Sequence, residues 1–147
     1  MKKQTLRRLT VFSFVLMLTA VTVSAQSERI RVINVPFNFI VGQKTLPAGE
    51  YTVEPNRKDS DNVWLLRSKE GHASALFTTN TVRATETQEE ARLVFHRYGG
   101  QYFLSQIWTP GANTGRQLLM PRLENQLAKN SIERQTTILA SGPASRN

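Results

Sequence analysis

Between Ile33 and Val41 the odd positions are apolar: Ile33, Val35, Phe37, Phe39 and Val41. Asn34, Pro36, Asn38 and Ile40 fall between them. A period of two is the mark of a strand with one buried face. Pro36 has no N–H to give to a ladder, so this strand is expected at a sheet edge or with a bulge. Residues 42–49 read as a turn region, sharpest at Pro47-Ala48-Gly49. Tyr51, Val53 and Pro55 then alternate with Glu50, Thr52 and Glu54, the pattern of a returning strand.

Residues 56–62 form a polar loop. Two strand-like runs, 63–67 and 72–78, flank Ser68-Lys69-Glu70-Gly71, a reasonable hairpin turn. A weaker strand candidate covers 81–85, followed by an acidic loop at 86–90. The clearest hairpin joins 91–98 to 101–109 through Gly99-Gly100, where two glycines supply the positive φ of a primed two-residue turn. That register sets Phe95 opposite Leu104, His96 opposite Phe103 and Arg97 opposite Tyr102. Aromatic groups then occupy both faces, which points to a central hairpin covered on each side. Residues 109–115 form a Pro/Gly/Asn loop. Pro121 suits the first position of a helix, and Leu123 and Leu127 share a face four residues apart, so 121–129 reads as a short amphipathic helix. Residues 132–140 make a last strand candidate. Seven or eight short strands with one C-terminal helix predict an all-β fold, a single antiparallel β-sandwich or a small barrel.

The first 25 residues stand apart from this pattern. Lys2, Lys3, Arg7 and Arg8 precede an apolar run from Leu9 to Val23, and Val23-Ser24-Ala25 offers small residues at −3 and −1. This is the layout of a secretory signal peptide cleaved between Ala25 and Gln26. The run is about 15 residues, short of the roughly 20 that span a bilayer. Leu6 before Arg7-Arg8 and Thr10 after them fit the general secretory route better than the twin-arginine one. The chain therefore divides into a signal peptide (1–25), a β domain (26–140) and a flexible tail (141–147), with no transmembrane segment after cleavage and a periplasmic or extracellular destination.

Cleavage changes the charge. The full chain has 19 Lys and Arg against 11 Asp and Glu; without the four leader cations it has 15 against 11, or +4. The remaining bases are interspersed with acids rather than gathered in the stripe a nucleic acid requires, so no nucleic-acid partner is expected. The chain holds no cysteine, so neither a disulfide nor a lipoprotein anchor is available and stability must come from burial and sheet pairing.

Catalytic and metal motifs fail one by one. Gly71-His72-Ala73-Ser74-Ala75 lacks the Gly-x-Ser-x-Gly spacing of a nucleophile elbow. Asp59, Asp61 and Glu70 have EF-hand spacing, but Val63 and Trp64 occupy the fifth and sixth positions, where a ligand and a glycine belong. The mature chain's only histidines, His72 and His96, leave zinc short of ligands. Glu50 and Glu54 share a strand face but lie about 13 Å apart, beyond either glycosidase geometry. Leu46-Pro47-Ala48-Gly49 lacks the threonine and trailing anchor of a sortase signal. Nothing calls for a cofactor.

Two stretches carry a resemblance. Val35-Pro36-Phe37-Asn38-Phe39, Val41-Gly42, Leu46-Pro47-Ala48-Gly49 and Tyr51-Thr52-Val53 form one. Leu93-Val94-Phe95-His96-Arg97-Tyr98-Gly99, Tyr102-Phe103-Leu104 and Ile107-Trp108 form the other. Together they resemble a group of small exported bacterial proteins with no assigned activity, and the resemblance implies a secreted β domain.

The functional expectation is an exported, non-enzymatic β domain that binds an envelope protein or surface. The alternative is a small barrel carrying an apolar small molecule. Trp64, Tyr102 and Trp108, with His96, Arg97 and Tyr98 near the hairpin tip, are the candidate binding residues. Large aromatics more often fill a core. An unrecognised enzyme and an outer-membrane barrel are the remaining classes.

Overall fold

Pro36 ends the first strand instead of sitting within it. The computed structural model describes residues 30–56, 62–130, 132 and 134–139. The expected signal peptide, its cleavage point at Ala25–Gln26 and the tail 141–147 lie outside the described residues. Strand β1 (Ile30–Val35) stops before Pro36, and β2 (Phe39–Val41) resumes in a different part of the sheet. The period of two survives the break: Ile33, Val35, Phe39 and Val41 are all buried and Phe37 is half-buried. One expected strand is therefore two, and β1 does lie at an edge.

The expected turn at 42–49 contains a short strand, β3 (Lys44–Leu46), that pairs back onto β2. Strand β4 (Gly49–Pro55) follows and lies antiparallel to β1. Their junction is held by side chains. Asn38 Oδ1 accepts from the Ala48 amide at 3.0 Å, and the Tyr51 hydroxyl donates to the Pro47 carbonyl at 2.6 Å. Burial pushes the Tyr51 phenol above its ordinary pKa, so it remains a donor. Strand β5 (Val63–Ser68) pairs with β4, and β6 (Ser74–Arg83) with β5.

Strand β6 joins the two halves of the molecule. Its first part, through Thr78, pairs with β5; from Thr79 it pairs with β9 (Thr114–Leu118). Thr79 at the switch is fully buried, and both its amide and its hydroxyl donate to the Asn62 carbonyl, at 2.9 and 3.2 Å. The expected strand 81–85 is thus not a separate element: its first three residues are the end of β6, which stops at Arg83. Strands β7 (Arg92–Tyr98) and β8 (Gln101–Trp108) form the central hairpin, with Phe95–Leu104, His96–Phe103 and Arg97–Tyr102 paired as the sequence predicts. Only Gly99 of the two turn glycines has positive φ, at 61°, the arrangement of a type II′ turn.

Strand β8 is flanked by β7 on one side. On its other side β9 covers residues 106–108, and β2 runs parallel to it at Ile40–Phe103. Helix α1 (Arg122–Asn130) follows β9, and β10 (Arg134–Leu139) pairs with β7. The architecture is all-β with a short helix, as predicted, but among the described residues it has ten strands rather than seven or eight, with one parallel pair among the antiparallel ones. The barrel alternative is corrected: the sheet stays open. The split of β6 folds two halves over one core, and fully buried Phe39, Tyr51, Trp64 and Phe95 fill the space between them.

Two strand-packing details matter for the site. Phe95 meets Phe37 and Phe39 edge-on at 5.2 and 5.4 Å between ring centroids, and Phe39 meets Tyr51 at 5.1 Å. This chain of rings links β4 to β2 and β7 across the core. At Gly115, an added Cβ would lie 2.6 Å from the Trp108 ring and 3.0 Å from the Ile107 carbonyl oxygen. Gly115→Ala is therefore expected to cost about 1–3 kcal/mol by overpacking, read as a lowered urea midpoint with unchanged slope.

Candidate functional site

The six candidate residues fall in three places. Arg97 and Tyr102 lie together: the guanidinium stands 5.3 Å from the Tyr102 ring centroid, and Tyr102 stacks on Phe37 at 3.8 Å. His96, Tyr98 and Trp108 lie on the opposite, outer face of the hairpin. All three are buried, and Tyr98 meets His96 edge-on at 6.4 Å. Trp64 is on β5, 2% exposed, in the core beneath β9. The hairpin residues thus do not form one rim with Trp64.

His96 anchors a polar network that the sequence does not announce. A β-bulge between Val94 and Phe95 on the β7–β8 ladder leaves Ser105 without a direct partner, and such bulges re-aim side chains. The Ser105 hydroxyl and His96 Nε2 are 2.9 Å apart, and His96 Nδ1 is 2.7 Å from Glu124 Oε1. Glu124 is 2% exposed, Ser105 5% and His96 9%. The expected helix face is corrected here: Leu123 is exposed, and Glu124, next to it, is the residue turned inward. A carboxylate in the first turn also suits the positive end of the helix.

Serine, imidazole and carboxylate stand in the order of an acyl-transfer triad. Such chemistry also requires a substrate at the serine oxygen and donors for the oxyanion. Ser105 is buried, and Glu124, the acid, is carried on α1. Lifting α1 to admit a substrate would carry the acid away. The geometry suits a clasp that fastens helix to sheet, with each polar group satisfied by the next.

A second constellation lies where β6 passes from one half of the sheet to the other. Trp64, Thr81, Ile107, Thr109, Thr114, Gly115 and Arg116 line a cleft of about 60 Å³. Arg116 sits on β9 opposite Thr81 and Ile107. Its Nη1 donates to Thr81 Oγ1 at 3.0 Å, and its guanidinium lies 5.5 Å from the Trp64 ring centroid. Adjacent residues of a strand face opposite ways. Arg116 therefore covers Trp64 on the core side, while Gly115 makes room for Trp108 on the outer side. Trp64 Nε1 is buried and makes no hydrogen bond, whereas Trp108 Nε1 donates to Gln106 Oε1 at 3.0 Å.

Fold and cleft together define an open two-layer β domain with a small, cationic, donor-rich recess between its layers. No family model, no curated protein and no solved structure matches the chain. Among the described residues no helix is long and apolar enough to cross a membrane.

Proposed function

We propose that this chain is an exported, non-enzymatic β domain that serves as a binding module of the cell envelope. The leader pattern of residues 1–25 supports export. The observation that carries the binding role is the recess itself, in which Arg116 is held over Trp64 beside a buried, unpaired indole N–H. Buried polar groups are as a rule hydrogen-bonded; Trp64 Nε1 and Arg92 Nε both lack a partner, and of these two residues only Trp64 lines the recess beside a cation. Convergent polar groups in a concave site are the general mark of ligand binding.

The test is retention by isolated cell envelopes of the producing organism. The wild-type protein is expected to sediment with them, and Arg116→Gln to bind about 10- to 100-fold more weakly, the usual loss for a charged hydrogen bond. Equal retention of two well-folded proteins contradicts the reading.

A further inference from the structure

We infer that the recess beside Trp64 is a carboxylate-binding site with Arg116 as its anchor; this rests on the binding role proposed above and names its chemistry. A guanidinium and an indole N–H are donors only, and threonine hydroxyls can donate. The lining contains no Asp or Glu. Its complement is a group that only accepts. Among biological groups ionised carboxylates and phosphates meet that requirement; the planar carboxylate lays both its oxygens against the guanidinium fork and, being the smaller, suits the narrow cleft.

Arg116 is prepared for this role. One hydrogen bond to Thr81 and the Trp64 ring 5.5 Å away hold the guanidinium at the recess. That bond uses one of its five N–H donors, leaving donors for both oxygens of a carboxylate. The hydroxyls of Thr109 and Thr114 add further donors around the same space, and the buried Trp64 indole lies against it.

Size narrows the ligand. A water needs about 10–15 Å³ of such space, so a cleft of about 60 Å³ holds a few heavy atoms and not a whole sugar or fatty acid. The site therefore grips a carboxylate that projects from something larger. Two sources share this chemistry: the acid group of a peptide and that of a sugar acid.

The chain's two tryptophans provide the test. In a ¹H–¹⁵N spectrum of the full chain, sodium acetate is titrated against sodium chloride at equal ionic strength. The Trp64 indole signal is expected to shift saturably with acetate and not with chloride. The Trp108 signal, already bonded to Gln106, serves as the internal reference and stays in place. Arg116→Gln is expected to need about 10- to 100-fold more acetate; the acetate–chloride comparison stands even if that variant does not fold. N-acetylglycine and glucuronate are then compared, and tighter binding by either supports the site and identifies its source. No shift, an equal shift with chloride, or joint movement of both indoles overturns the assignment. Envelope retention that depends on Arg116 without an acetate response removes the carboxylate and keeps the binding role; loss of both removes both.

Discussion

His96→Ala is expected to destabilise the domain by about 2–5 kcal/mol, because two buried polar groups lose their hydrogen-bond partner at once. The substitution leaves the Glu124 carboxylate 2% exposed with its 2.7 Å contact gone, and it strands the Ser105 hydroxyl on the same face. The penalty comes from the unmatched groups and not from lost attraction alone. The double variant His96→Leu with Glu124→Leu removes both demands and is expected to recover most of the loss. Ser105→Ala, which removes a single neutral partner, should cost about 0.5–1.5 kcal/mol. Urea unfolding of the four proteins checks the series. A loss below about 1 kcal/mol for His96→Ala would mean that Glu124 reaches water and that α1 is not fastened there.

Phe95→Ala is expected to cost about 3–5 kcal/mol, as truncating a fully buried aromatic does. Phe95 has no exposed surface and holds edge-on contacts to Phe37 and Phe39. Because Phe39 in turn meets Tyr51 on β4, a hole at Phe95 loosens both halves of the molecule. Tyr102→Ala, at a half-buried residue stacked on Phe37 at the margin, is expected to cost less. Denaturation midpoints should fall in that order with a constant slope, since native compactness is retained.

The hairpin and the first strands were legible because local chemistry specifies them. Gly99-Gly100 permits a two-residue turn and so fixes the pairing of Phe95, His96 and Arg97. The alternation from Ile33 to Val41 identified the buried face even across the break at Pro36. Strand β9 was not legible: Thr114-Gly115-Arg116-Gln117-Leu118 has a glycine and two long polar residues where strands favour β-branched ones. Its pairing with β6 and β8 makes it a strand. Arg116, which lies on that strand, is hidden with it.

The clasp was hidden for two reasons. Both parities of Tyr102-Phe103-Leu104-Ser105-Gln106-Ile107-Trp108 contain apolar residues, so an extra residue at Ser105 leaves no trace in the pattern. Helical spacing selected Leu123 with Leu127, while the inward residue, Glu124, is set by a histidine 28 positions earlier. Trp64 is visible in the sequence as an aromatic, but its recess is assembled from four separate stretches that only the folded topology brings together.

The most direct test of the binding account is native mass spectrometry of the protein recovered from its own envelope or medium, wild type beside Arg116→Gln. The account predicts a chain beginning at Gln26, carrying a non-covalently bound acidic molecule in the wild type and none in the variant. A chain that keeps residues 1–25, or the same spectrum of bound species for both proteins, would contradict it.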